Sequence, residues 1–232
     1  MITVYTIAYN EEILLPFFIN WYRTRFPNCK IIVHDNYSID NTEKIALENG
    51  CEIIKYDSNN EIRDDIYLNI KNNCWKQSNT DWVVVCDVDE LIDINEVDIL
   101  YENSSIIKFN AFNMVSMNDE LNLNNIIHGV RDEGYDKFYM FNKTMIKEIN
   151  YYPGCHKANP VGIVSFSEKI YNAYHFKYIN LQYLIDRYKL FKSRLSKINK
   201  NKGWGFQYSQ SETSIIENFQ HMKTHKHLKK LL

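Results

Sequence analysis

From Ile2 to Asp87 the chain alternates between apolar, β-branched runs and amphipathic stretches. "ITVYTIA" (Ile2–Ala8), "KIIVHD" (Lys30–Asp35), "CEIIKYD" (Cys51–Asp57) and "WVVVCD" (Trp82–Asp87) read as strands. Between the first two, Ile13, Leu14, Phe17, Phe18, Trp21 and Tyr22 fall on one face of a helix. Asp40 and Glu43 form a capping-box-like start to a second helix, Asn41–Asn49, which Gly50 stops. Ile62, Ile66, Ile70 and Cys74 keep a four-residue step along a third. Strand and helix repeated in this way predict an α/β fold, a mostly parallel sheet flanked by helices. Continuous apolar strands are what a sheet covered on both faces requires.

The remaining bounds are few. A chain of 232 residues can bury one substantial core, so a single domain, 1–232, is expected. A net charge of −2 gives no reason to expect nucleic-acid binding. The five cysteines never fall at C-x-x-C spacing and read as reduced thiols. The first strand begins at Ile2 with no basic leader region before it, and no apolar run approaches the ~20 residues of a membrane helix. The expectation is a cytoplasmic chain with no transmembrane segment.

In open α/β sheets ligands bind beyond the carboxyl ends of the strands. Polar residues cluster at those ends here: Tyr9–Asn10–Glu11–Glu12, Asp35–Asn36, Asp57, and Asp87–Asp89–Glu90. In an extended D-V-D, Asp87 and Asp89 point the same way and can address one ligand. Two hard carboxylates suit Mn²⁺ or Mg²⁺. An isolated D-x-D is more often a solvated acidic turn, but one that follows a buried strand in a βαβ context is not isolated. No G-x-G-x-x-G and no G-x-x-x-x-G-K-[ST] follows the first strand, which argues against a dinucleotide fold or a P-loop NTPase.

"YNEEILLPFFINWY", "IIVHDNYSIDNTEKIALENG" and "WVVVCDVDELI", in that order, resemble the nucleotide-sugar-binding half of a GT-A glycosyltransferase, family 2-like. The resemblance implies a nucleotide-sugar-binding half (1–100), an acceptor half (101–180) and a C-terminal helical segment (181–232). It also implies transfer from a nucleotide-diphosphate sugar, a UDP-sugar, to an acceptor hydroxyl with inversion, dependent on Mn²⁺ or Mg²⁺. Tyr9, Asn10 and Glu11 would contact the nucleoside and Asp35 would accept from the base. Arg63 would be a cation near base or diphosphate, unless it is a solvated helix-start residue. Asp87 would face ribose and metal, Asp89 would be the firmer metal ligand, and His156 would close over the diphosphate or bind the metal. Glu90 caps or salt-bridges in this reading. Lys143 and Lys157 are further phosphate neighbours, and His175, among aromatics, reads as core. No Q-x-x-R-W is present, which argues against polymer synthesis within a membrane.

An inverting transfer needs one carboxylate to deprotonate the acceptor. Glu133 and Asp132 lead for that role, ahead of Asp119, Glu120 and Asp136. Two helices are expected near the C-terminus. One is Leu181–Lys200, with Leu184, Ile185, Tyr188, Phe191 and Leu195 on a face; the other is Thr213–Leu232, with a basic, solvated end. The alternatives are a non-catalytic nucleotide- or sugar-binding module of the same fold, and a metal-dependent phosphoryl-transfer or hydrolase enzyme. The acceptor (glycan, protein or lipid) has no readable signature.

Overall fold

The computed structural model describes Met1–Leu232. Its first part is β1 (Ile2–Ala8), α1 (Leu15–Arg25), β2 (Lys30–Asp35), α2 (Thr42–Glu48), β3 (Glu52–Lys55), α3 (Asp64–Asn73) and β4 (Trp82–Val85). Strands β3, β2, β1 and β4 lie side by side and parallel. The register pairs Ala8 with Asp35 and Asp35 with Lys55, so all three strands stop at one level.

β5 (Glu90–Asp93), α4 (Glu96–Leu100), β6 (Ile106–Val115), β7 (His128–Arg131) and β8 (Met140–Asn142) follow. A short ribbon of β9 (Ile146–Glu148) and β10 (Val161–Gly162) precedes the long β11 (Phe166–Tyr178). β8 joins β4 antiparallel, and β11 runs parallel to β6 and antiparallel to β5. The later strands therefore extend the parallel sheet into a mixed one. The chain ends with α5 (Leu181–Arg194), α6 (Lys197–Lys202), α7 (Glu212–Lys223) and β12 (Lys229–Lys230), which pairs with β7.

The main core packs α1 against one face of the sheet, with Phe18, Tyr22, Val4, Val84 and Met140 almost without exposure. A smaller core on the other face is built around Trp75 and Phe141, whose rings meet edge-to-face at 5.0 Å. All five cysteines are free, as the sequence implied. No helix is long and apolar enough to cross a membrane.

Several expected elements differ. The capping box at Asp40 and Glu43 does not form: Asp40 accepts from Thr42 N at 2.9 Å, but Glu43 turns to Lys55 at 2.8 Å. The helix expected over Leu181–Lys200 breaks at Leu195, which is extended and bridges in parallel to Ile62, and Ser196 then caps a separate α6. The helix expected over Thr213–Leu232 ends at Lys223, because the chain returns to the sheet, with Leu231 N donating to Ile127 O at 2.7 Å.

Candidate functional site

A cavity of about 230 Å³ opens at the carboxyl ends of the parallel strands. Ala8 at the end of β1 and Tyr9 after it, Tyr56 after β3 and Asp87–Glu90 after β4 line it, with Asp64, Tyr67 and Lys71 from α3. The far wall comes from Tyr135, Lys137, His156, His175, and from Arg187 and Arg194 on α5.

The D-x-D is not extended. Residues Val88 and Asp89 form a turn closed by Glu90 N donating to Asp87 O at 3.0 Å, so the two aspartates meet different partners. Asp87 receives Lys71 Nζ at 2.6 Å and lies 3.6 Å from Lys137 Nζ. Glu90, 2% exposed, takes Lys137 at 2.5 Å through one oxygen and caps Asp87 N at 3.0 Å through the other. Burial alone would lower Lys71 and Lys137, but the carboxylates facing them raise both above the ordinary lysine value. Both therefore carry full charge in a nearly dry wall.

Asp89 lies 3.6 Å from His175 Nε2 and 3.5 Å from Arg187. Burial pushes its carboxyl up, yet the hydrogen bond and charge of His175, with Arg187, hold it well below the usual carboxylate range. His175 is placed by register: it pairs with Glu90 on one side and Asn113 on the other. Its Nδ1 donates to Asn113 Oδ1 at 2.7 Å, and Asn113 Nδ2 donates to Asp132 Oδ2 at 2.6 Å. Tyr135 stacks on it at 4.1 Å. His175 is thus buried, as a core residue would be, but it faces the cavity and orients Asp89.

His156 stands exposed at the rim on a turn whose Gly154 has φ +78, a left-handed conformation that glycine adopts without strain. Its Nδ1 lies 2.6 Å from Gly134 O, an acceptor only, so Nδ1 carries the proton and Nε2 keeps its lone pair. Burial of one side, then Lys137, lowers its pKa, and the ring is neutral at pH 7. Arg187 grips Glu11 with two nitrogens at 2.9 Å.

The structure brings Tyr9, Glu11, Asp87, Asp89 and His156 to one cavity and leaves five expected residues outside it. Asn10 is a turn residue at φ 55, its amide oxygen holding Ile39 N at 2.9 Å. Asp35 is fully buried and its carboxylate is taken by Lys55 and Ser38, because the register sets Lys55 directly beside it. Arg63 is folded back on Asp65 through bonds of 2.9 and 2.7 Å. Asp132 holds Asn113 and Gly134 N instead of facing the cavity, and Glu133 is exposed beside it. Of the other acids, Asp136 pairs with Arg131 and Asp119 with Lys223. Lys143 donates to Ser78 O, at the opposite end of β4.

Lys71, Lys137, Arg187 and Arg194 were not singled out from the sequence. For Lys71 a signal existed: Asp64, Tyr67 and Lys71 recur at i, i+3 and i+7, the stripe of α3 that faces the cavity. Arg187 sits one position from Tyr188 on the apolar side of α5, which marks a partly buried cation. Nothing local marks Lys137.

Hard carboxylate oxygen and imidazole nitrogen are donors that Mn²⁺ and Mg²⁺ accept. No three His, Cys, Asp or Glu side chains come together as a preformed ion site. The fit is partial. Asp89 and His156 Nε2 are available, and each is oriented from behind, Asp89 by His175 and His156 by Gly134 O, as metal ligands are. Asp87 does not fit, since its two oxygens already face lysines.

No protein-family model matches the chain, and no curated protein matches it. Among solved structures, S. aureus TarS 1–349 is similar at TM-score 0.49 and 14% identity, over 95% of this chain and 71% of that one. The longer S. aureus TarS structure is similar at TM-score 0.48 and 14% identity, over 97% of this chain and 44% of that one. The chain therefore spans less than half of that protein. TarS 1–349 has been solved with UDP and with UDP-GlcNAc. A mannosyltransferase from Pyrobaculum calidifontis, PcManGT, solved with GDP-Man and Mn²⁺, is similar over 51% of this chain at TM-score 0.34 and 16% identity. At these identities the likenesses say nothing of activity, which must be argued from the cavity.

Proposed function

We propose that this chain is a glycosyltransferase that moves a sugar from a nucleoside diphosphate, a UDP-sugar, to an acceptor hydroxyl. The observation that carries the reading is the pair of buried ammonium groups, Lys71 and Lys137, set against the D-x-D in a polar cavity at the strand ends. A leaving nucleoside diphosphate develops negative charge on its oxygens. Fixed cations in a site of low dielectric stabilise that charge without having to reorganise. The anomeric carbon–oxygen bond breaks with its electron pair going to the diphosphate, while the acceptor oxygen bonds to carbon and its proton passes to solvent water.

Asp89 and His156 would hold Mn²⁺ or Mg²⁺ with the phosphates completing its shell, as such ions prefer to substrate-free protein cages. Bound there, the ion would supply further positive charge to the diphosphate. His175 and Arg187 keep Asp89 ionised and fixed, and Tyr135 packs between the two histidine rings, 4.8 Å from one and 4.1 Å from the other. The proposed chemistry is a single displacement, which inverts the anomeric centre. Asp132 and Glu133 do not line the cavity, so neither is assigned as the base.

The test is release of UDP from UDP-glucose and UDP-GlcNAc, with and without a panel of simple glycoside acceptors. Release that rises with acceptor supports transfer, and NMR of the product's anomeric proton reads the inversion. Release independent of every acceptor makes the protein a hydrolase, and binding without release makes it a binding module.

A further inference from the structure

One wall of the cavity is built in a way that catalysis of sugar transfer does not explain. Arg194, the last residue of α5, is 6% exposed, and its guanidinium lies flat on Tyr9, 3.2 Å from the ring centroid. Its Nε donates to the carbonyl of Asn60 at 3.0 Å and to the Asn60 side chain at 3.1 Å. Its Nη2 is buried with no partner. The neighbouring Tyr56 hydroxyl is buried and unpaired as well, and Tyr56 meets Tyr67 edge-to-face at 6.2 Å. Arg194, Tyr9, Tyr56, Tyr67 and Ile62 all line the cavity.

The backbone holds this wall in place. Ile62 N donates to Arg194 O at 2.7 Å, Ile62 and Leu195 form a parallel bridge, and Asn199 Oδ1 accepts from Asp64 N at 3.1 Å. The end of α5 is thus clasped to the segment between β3 and α3, and Arg194 has little freedom to leave. A buried guanidinium with unspent N–H groups costs free energy until an acceptor arrives. The surrounding rings favour a flat, aromatic ligand.

We infer that Arg194 reads the nucleobase of the donor, its guanidinium, backed by Tyr9, donating to a ring keto oxygen of a base held against Tyr56 and Tyr67. This rests on the proposed nucleotide-sugar reading and adds to it the group that selects the base. A guanidinium has donors only. A keto group, in uracil or guanine, satisfies it; an exocyclic amino group at the same position, in cytosine or adenine, meets it donor to donor. Arg194 rather than Arg63 has this role, since Arg63 is already spent on Asp65.

The test is calorimetric titration of UDP, CDP, GDP and ADP, with Mn²⁺ present, into the wild type, Arg194→Lys and Arg194→Ala. The wild type should prefer the keto member of its pair, UDP over CDP or GDP over ADP, by about tenfold or more, the equivalent of about 1.4 kcal/mol. The pair that shows the preference names the base. In Arg194→Ala the ratio should fall to within a few-fold, and Arg194→Lys, which keeps the charge but loses the planar fork, should fall between. A residue that only braces the fold would weaken both members equally, so an unchanged ratio in both variants overturns the inference, as does a wild type that does not discriminate. If no nucleoside diphosphate binds the wild type, the nucleotide-sugar reading itself fails, and this inference with it.

Discussion

Glu11 and His34 are buried titratable side chains whose effects on stability oppose each other. Burial raises the Glu11 carboxyl from an ordinary 4.5 to about 7, even with Arg187 beside it. A raised acid stabilises fully below 4.5, and that contribution is lost as pH rises through 7. Burial lowers His34 from 6.5 to about 4, and its Nε2 has no partner. The unfolded chain then takes up a proton that the folded chain refuses, so stability is lost as pH falls from 6.5 toward 4. Each effect is on the order of 3 kcal/mol. Between pH 5 and 7 they largely cancel, and each variant should unmask the other. Urea unfolding of Glu11→Gln should show stability rising from pH 5 to 7, and His34→Phe should show it falling. Parallel pH profiles for wild type and both variants would contradict this. At this scale the sequence revealed acids at strand ends, because acid after a buried strand is a local pattern. It did not reveal Lys137, because ion pairing with distant carboxylates leaves no trace in neighbouring residues.

Two elements carry the site on their ends. The α5–α6 junction turns at Leu195 and restarts with Ser196, whose Oγ accepts from Asn199 N at 3.1 Å. Ser196→Ala removes that cap and should cost about 1 kcal/mol in chemical denaturation. An unchanged midpoint would mean that the bridge to Ile62 alone holds the junction. The turn bearing His156 depends on Gly154, where a Cβ would stand 2.8 Å from His156 Cδ2. Gly154→Ala should therefore displace the imidazole and, like His156→Ala, should reduce the Mn²⁺ dependence of UDP binding; retention of full Mn²⁺ dependence in both would show that the ring is not a ligand. Periodicity foretold β1, β2, β4 and α1 because each buries a continuous local face, whereas β3, at the sheet edge and half-exposed, was marked only by its β-branched Ile53 and Ile54. It overran the helix ends at Leu195 and Thr224, where a bridge to Ile62 and the return of β12 to β7 end the helices. The pairing of β11 with β5 and β6 joins segments far apart in sequence, and no local signal encodes that.

Across the whole molecule, the cavity gathers residues from Ile7 to Tyr208, so it exists only once the mixed sheet and the α5–α6 junction are assembled. Its wall holds five carboxylates (Glu11, Asp64, Asp87, Asp89, Glu90) against four cations (Lys71, Lys137, Arg187, Arg194). With the carboxylates one ahead, each ammonium counts, because the loss of one deepens a field that repels a diphosphate. Titration of UDP and of uridine into wild type and Lys71→Met, with Mn²⁺ present, measures this most directly. UDP should bind the wild type one to one, and Lys71→Met should weaken UDP about 10–100-fold, the loss of one charge-assisted contact to phosphate, while uridine changes less than about twofold. No binding of UDP to the wild type, or an equal loss for UDP and uridine, would contradict a diphosphate held by these lysines.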